Sequence, residues 1–149
     1  MAAVTLQRLR DTQLIKPIFQ LLLYPALDLS CAGWSYIDFA DGFFLTTARV
    51  KYYVKSYLNP SDDVTNPLIS PLMQSDFSYI PRTHIVTAGF DPLRSDGEAY
   101  VQRLRAANVS VSYHCYEEMI HAFLHMNHTV PAVRKAFQDI SGVLQEGLS

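Results

Sequence analysis

The stretch His84-Ile85-Val86-Thr87-Ala88-Gly89-Phe90-Asp91-Pro92-Leu93-Arg94-Ser95-Asp96-Gly97-Glu98-Ala99-Tyr100 passes from an apolar run, through a turn, into a helical pattern. His84 to Ala88 has the length and β-branched content of a buried strand that ends at Gly89. Pro92 biases Asp91 towards an extended backbone, which aims its carboxylate off the strand end. Ser95 and Glu98 have the S-x-x-E spacing of a capping box, predicting a helix that continues through Tyr100, Val101, Leu104 and Ala107. Asn108 can close that helix in the left-handed conformation.

Outward from this unit the pattern repeats. Upstream, Ile18-Phe19-Gln20-Leu21-Leu22-Leu23-Tyr24 is nearly all apolar and bounded by Pro17 and Pro25, as expected of a parallel strand covered on both faces. Downstream, Val109 to Cys115 alternates, so one face should be wetter and the strand nearer a sheet edge. A helix is expected around Val50, Tyr53, Val54, Tyr57 and Leu58, another from about Pro131 through Leu144, and an amphipathic helix end over Val4, Leu6 and Leu9 with a polar stop at Arg10-Asp11. Asp28 to Gly42 reads as loop, and prolines 67, 71 and 81 argue for an irregular connection before the second strand. Alternating strands and helices make the fold class α/β, with a parallel sheet of about three strands and flanking helices.

The 149 residues, 49% hydrophobic and 17% charged, are ordinary for one domain spanning 1–149. A formal net charge of -2 gives no electrostatic reason to expect nucleic acid or an anionic membrane as partner. No apolar run reaches the ~20 residues of a membrane span, and the start lacks the features of a signal peptide. Cys31 and Cys115 lie far apart without metal-ligand spacing, which suits a reduced, cytoplasmic chain.

The chemistry rests on Asp91 and on His121, thirty residues later in His121-Ala122-Phe123, each following a strand-like run. Open α/β sheets present reactive groups at the carboxyl ends of their strands. An acid followed by a histidine is the second half of the Ser, Asp, His order of the α/β-hydrolases. Together, Tyr24-Pro25-Ala26-Leu27-Asp28, Ser70-Pro71-Leu72, Asp91-Pro92-Leu93-Arg94 with Gly97-Glu98-Ala99-Tyr100, and His121-Ala122-Phe123 resemble the carboxyl-terminal half of the hormone-sensitive-lipase-like esterases. The family more often has glycine where this chain has Ala122.

The resemblance implies a serine carboxylesterase for small acyl or aryl esters, with no cofactor, in which Asp91 orients His121 and His121 takes the proton of a serine hydroxyl. Such a hydroxyl is a poor nucleophile until an adjacent base accepts its proton. In the family the serine lies in a G-x-S-x-G elbow, after an H-G-G-G-type oxyanion loop, and neither motif occurs here. Gly33-Trp34-Ser35-Tyr36-Ile37 is the nearest match and lacks the second glycine. The family's helix after the elbow runs into a segment like Ala2 to Arg10, so the chain is expected to begin just past its nucleophile and to be inactive alone. The first strand agrees: burying Ile18, Phe19, Leu21, Leu22 and Leu23, at roughly 1.5–3 kcal/mol each, suits a sheet centre and therefore further strands. The resemblance also places Phe43 and Phe44 beside the acyl pocket.

Other readings compete. Asp96 is the alternative acid, although its place in the proposed capping box suggests a helix-start role. His121, His125 and His128 have spacings that could gather three nitrogens on one helical face around zinc. Tyr52, Tyr53 and Tyr57 read as packing and partner surface. The chain could also be a non-catalytic remnant that binds another chain, or itself, through an uncovered sheet edge.

Overall fold

A computed structural model describes residues 2–12 and 15–148, with the side chains of residues 11 and 12 undescribed. Its elements are α1 (Ala2–Thr12), β1 (Phe19–Leu23), α2 (Ser35–Asp38), α3 (Thr47–Tyr57), β2 (Arg82–Phe90), α4 (Arg94–Ala106), β3 (Val111–Ile120) and α5 (Pro131–Leu148). Short 3-10 turns occupy Pro71–Met73 and Phe123–Met126. The three strands form one parallel sheet in the order β1-β2-β3, pairing Leu22 with Ile85 and Ile85 with Tyr113.

β2 is the central strand, and its seven interior residues are all buried. Its side chains alternate between two cores, as a strand's period of two requires. Ile85 joins Leu22, Leu6, Tyr100, Val101 and Leu104 beneath α1 and α4. Val86 and Ala88 join Phe123, Leu124, Val133, Ala136 and Ile140 beneath α5. Helix α4 approaches the sheet closely at Gly97, where an added Cβ would lie 2.5 Å from Thr87 Cγ2. Asn108 ends the α4 region with φ 58°, in the left-handed conformation expected of it.

β3 is an edge strand, as its alternation implies, but it runs five residues past Cys115, to Ile120. Its register shifts against β2 between Ala88 and Phe90, at the point where Gly89 meets the backbone of Glu117. That extension carries the chain directly to His121.

β1 departs from expectation. Among the described strands it lies at the other edge of the sheet, with only Gln20 and Leu22 buried, and Ile18 lies outside it, 63% exposed. A continuous apolar run specifies a strand that can be covered on both faces, but coverage depends on which neighbours are present. Three further differences are local. Helix α1 continues past Arg10-Asp11 to Thr12, the expected loop at 28–42 contains α2, and no capping box forms at Ser95 and Glu98.

Candidate active site

The carboxyl ends of β2 and β3 bring Asp91 and His121 together. Asp91 Oδ2 lies 2.7 Å from His121 Nδ1, with the carboxylate buried and the imidazole partly open. The other carboxylate oxygen accepts the backbone N–H of Leu93 at 2.9 Å, closing the turn that Pro92 begins. One side chain therefore both shapes the turn into α4 and fixes the imidazole. With Nδ1 facing the carboxylate, Nε2 is the ring nitrogen left to exchange a proton with another group.

His121 leaves the strand into Ala122, whose φ of 61° is left-handed, and the following 3-10 turn buries Phe123 and Leu124. The ring of Tyr24 lies 5.0 Å from the imidazole and 5.8 Å, edge-on, from Phe123. Tyr24 also has a left-handed backbone, φ 36°, and its N–H donates to Val86 O at 2.7 Å. Burial, reinforced by the Asp91 charge, raises the Tyr24 phenol above its ordinary pKa. The sequence marks Tyr24 as the end of a strand and part of a family-like segment, but its approach to His121 depends on pairing between β1 and β2.

His121 borders an apolar cleft of about 580 Å³. Val4 of α1, Ala26 and Leu29 of the loop after β1, and Tyr53 and Tyr57 of α3 form parts of its wall. The tyrosines of α3 are therefore not core: Tyr52, Tyr53 and Tyr57 are all exposed, and two of them face the cleft. Phe43 and Phe44 stand elsewhere. Phe43 stacks on Phe90 at 4.9 Å, Phe44 is exposed, and neither borders this cleft.

Asp96 does not compete for His121. Its Oδ2 accepts the backbone N–H of Leu27 at 2.8 Å and of Asp28 at 2.9 Å, and the Tyr36 hydroxyl at 3.2 Å. Burial pushes its carboxyl up to about 7, partly offset by the two backbone donors. Arg94, in the same motif, bonds Glu98 at 2.9 Å and Glu117 at 2.7 Å, tying α4 to β3.

Ser35 is fully buried; its hydroxyl lies 2.5 Å from Pro92 O and 2.7 Å from Ser95 Oγ. It packs behind the acid turn. The three histidines at 121, 125 and 128 do not share one helical face, because the left-handed Ala122 separates the first from the 3-10 turn. Among the described residues no three His, Cys, Asp or Glu side chains gather as a metal site. Cys31 and Cys115 are both free thiols, and no described helix is long and apolar enough to cross a membrane.

A family profile described as alpha/beta hydrolase fold matches residues 1–125. The chain is 36% identical over 131 residues to the carboxylic ester hydrolase LipN of Mycobacterium tuberculosis, covering 85% of this chain and 35% of that protein. It is 38% identical over 125 residues to an arylesterase of Saccharolobus solfataricus, covering 83% and 40%. Among solved structures, a hyperthermophilic esterase from Pyrobaculum calidifontis superposes with a TM-score of 0.90 at 28% identity, covering 97% of this chain and 48% of that one. The ester-hydrolase EH1AB1 from the metagenome of Lake Arreo, complexed with a derivative of bipyridine phosphonate, superposes with a TM-score of 0.89 at 36% identity, covering 95% and 45%. The chain thus spans less than half the length of these relatives. On the profile, the relatives and the shared architecture, this chain belongs to the α/β-hydrolase fold family, in its hormone-sensitive-lipase-like carboxylesterase branch.

Proposed function

We propose that Asp91 and His121 are the acid and base of a serine carboxylic ester hydrolase acting on small acyl or aryl esters, and that the 149-residue chain alone is inactive. The observation that carries this reading is the 2.7 Å contact between a buried carboxylate and Nδ1 of a partly open imidazole beside an apolar cleft. Asp91 holds the ring in one tautomer and stabilises the imidazolium formed when His121 accepts the serine proton; the proton then passes to the leaving alcohol. No cofactor enters this relay.

The expected inactivity follows from the missing oxygen. No two glycines lie four residues apart anywhere in the sequence, so it holds no G-x-S-x-G elbow, and Ser35 is buried behind the turn. Removing a catalytic serine alone costs about a millionfold in rate, and loss of the oxyanion donors removes the residual catalysis as well. The same proposal places the protein in the cytoplasm, supported by the two free thiols.

The test assays 4-nitrophenyl acetate and butyrate with this chain and with a chimera carrying the preceding part of the Saccharolobus arylesterase. The chimera should hydrolyse the esters and lose about 10⁴-fold in kcat with Asp91→Asn and about 10⁶-fold with His121→Ala. A chimera that is folded but indifferent to both substitutions would refute the relay. Saturable turnover by the chain alone, abolished by His121→Ala, would refute its inactivity.

A second reading, a binding module, is favoured by one observation: the β1 edge carries half-buried Phe19, Leu21 and Leu23 next to exposed Ile18. An apolar edge of this kind invites strand addition by another chain or a second copy. Concentration-dependent association in size-exclusion chromatography supports it, and a monodisperse folded monomer counts against it.

A further inference from the structure

We propose that Asp96 is a positioning residue for His121: its carboxylate oxygen holds the loop after β1 by two backbone N–H groups, with the Tyr36 phenol of α2 as a third donor, and so helps set Tyr24 against the imidazole. The proposal rests on the reading of His121 as the base.

The geometry is a short chain of contacts. Asp96, two residues into helix α4, reaches out of its own helix to Leu27 N and Asp28 N, sixty-nine and sixty-eight residues away. These amides lie in the loop that begins at Tyr24, whose ring is 5.0 Å from His121. Between them, Pro25 has a fixed φ and Ala26 borders the cleft, so movement at Leu27 is carried back to Tyr24 over very few free torsions. The same loop is also held by Leu29 N on Ser70 Oγ at 2.9 Å and by Leu72 N on Leu27 O at 3.0 Å. Tyr24 is also fixed by its own N–H on Val86 O at 2.7 Å, and Asp96 holds the segment that starts three residues beyond it.

Position along the chain reinforces the link. Asp91 precedes the turn into α4 and Asp96 lies in the first turn of that helix: the first grips the imidazole, and the second grips the loop whose tyrosine packs on the same ring. A rigid α4 start therefore sets both contacts of His121 together.

The groups facing Asp96 make its charge state relevant. Asp28 and Tyr36 face its carboxylate, the Cys31 thiol lies close by with the Lys51 ammonium within electrostatic reach of that thiol, and burial raises the pKa of Asp96 to about 7. The Asp96 carboxylate therefore loses or gains a proton near neutrality. Its grip on Leu27 and Asp28 is charge-assisted when it is ionised and weaker when it is neutral.

The experiment uses the 149-residue chain and NMR, so it requires no turnover. In the unmodified chain, the amide shifts of Leu27 and Asp28 and the Cε1–H shift of His121 are followed from pH 5 to 9. The His121 signal is expected to carry an inflection at the midpoint seen by the two amides, and Asp96→Asn should remove it. Asp96→Leu, which keeps volume without an acceptor, should speed hydrogen exchange at Leu27 and Asp28 at least tenfold and move the His121 signal, while Asp96→Asn retains protection. An unchanged His121 signal in Asp96→Leu, or in Asp96→Ala should the leucine variant not fold, overturns the proposal. Asp91→Asn is the separate control. If it leaves the His121 ring proton unchanged, the acid–base pair itself fails, independently of Asp96.

Discussion

Ser35 Oγ lies 3.0 Å from the backbone nitrogen of Ser95 and accepts its N–H, so the first turn of α4 is capped by a residue sixty positions earlier in the chain. The same hydroxyl lies 2.5 Å from Pro92 O. Helix starts carry unpaired N–H groups that a local Ser or Asp ordinarily satisfies, and here α2 supplies the oxygen from outside. Ser35→Ala should lower stability by about 1–2 kcal/mol, measured by urea unfolding. A phosphonate probe should not label Ser35, since its oxygen has no access to solvent.

Asp91 has two separable tasks. Asp91→Ala removes both the acceptor for Leu93 N and the partner of His121, and should cost about 1–3 kcal/mol, because a buried amide is left unpaired. Asp91→Asn can keep the turn through its carbonyl and should cost less. Loss of the His121 Nδ1–H signal with a nearly unchanged urea midpoint in the asparagine variant is the expected pattern.

Asp96 makes stability depend on pH in the direction opposite to an ion-paired acid. Its carboxyl has an ordinary value of 3.8 and is raised by burial to about 7 in the folded chain. Between these values the folded state holds the proton that the unfolded state has released, so this group's contribution to stability falls as pH rises through that window. Below about 4 both states are protonated and the penalty is absent; above about 7 it is complete. Urea midpoints across pH 4 to 8 should show this decline, and Asp96→Asn should remove it.

Ala122 occupies left-handed backbone immediately after His121, where a Cβ is unfavourable by roughly 1–2 kcal/mol. Ala122→Gly should therefore recover up to about 1 kcal/mol, the difference being the greater unfolded-state entropy of glycine. Differential scanning calorimetry reads this as a rise in Tm.

Gly97→Ala should be destabilising by about 1–3 kcal/mol despite the better helix propensity of alanine. The new methyl would lie 2.5 Å from Thr87 Cγ2 on the buried central strand, and α4 would have to lift from the sheet. Chemical unfolding of the variant measures the loss directly.

Much of the fold is legible in residue order because its signals are local. The apolar run at 84–88 marks β2, the left-handed Asn108 closes the α4 region, and the alternation from Val109 places β3 at an edge. Asp91 and His121 could be singled out because each follows such a strand. The capping box at Ser95 and Glu98 misled: Ser95 N bonds Ser35, Glu98 turns to Arg94, and a local pattern gave way to partners from elsewhere in the chain. Tyr24 and Asp96 stand in segments that the sequence singles out, but the contact of Tyr24 with His121 and the bonds of Asp96 to Leu27 and Asp28 carry no local signal.

Residue order by itself determined that this is an α/β chain with an acid and a histidine at consecutive strand ends, because hydrophobic period and turn chemistry act over a few residues. Only the tertiary structure decided the rest. It brought the carboxylate within 2.7 Å of the imidazole, set Tyr24 against that ring, and turned Asp96 and Ser35 from helix and loop residues into ties across the sheet end. The physical reason is that strand pairing and helix docking bring residues thirty to sixty-nine apart into hydrogen-bond range, and no spacing along the chain encodes that distance.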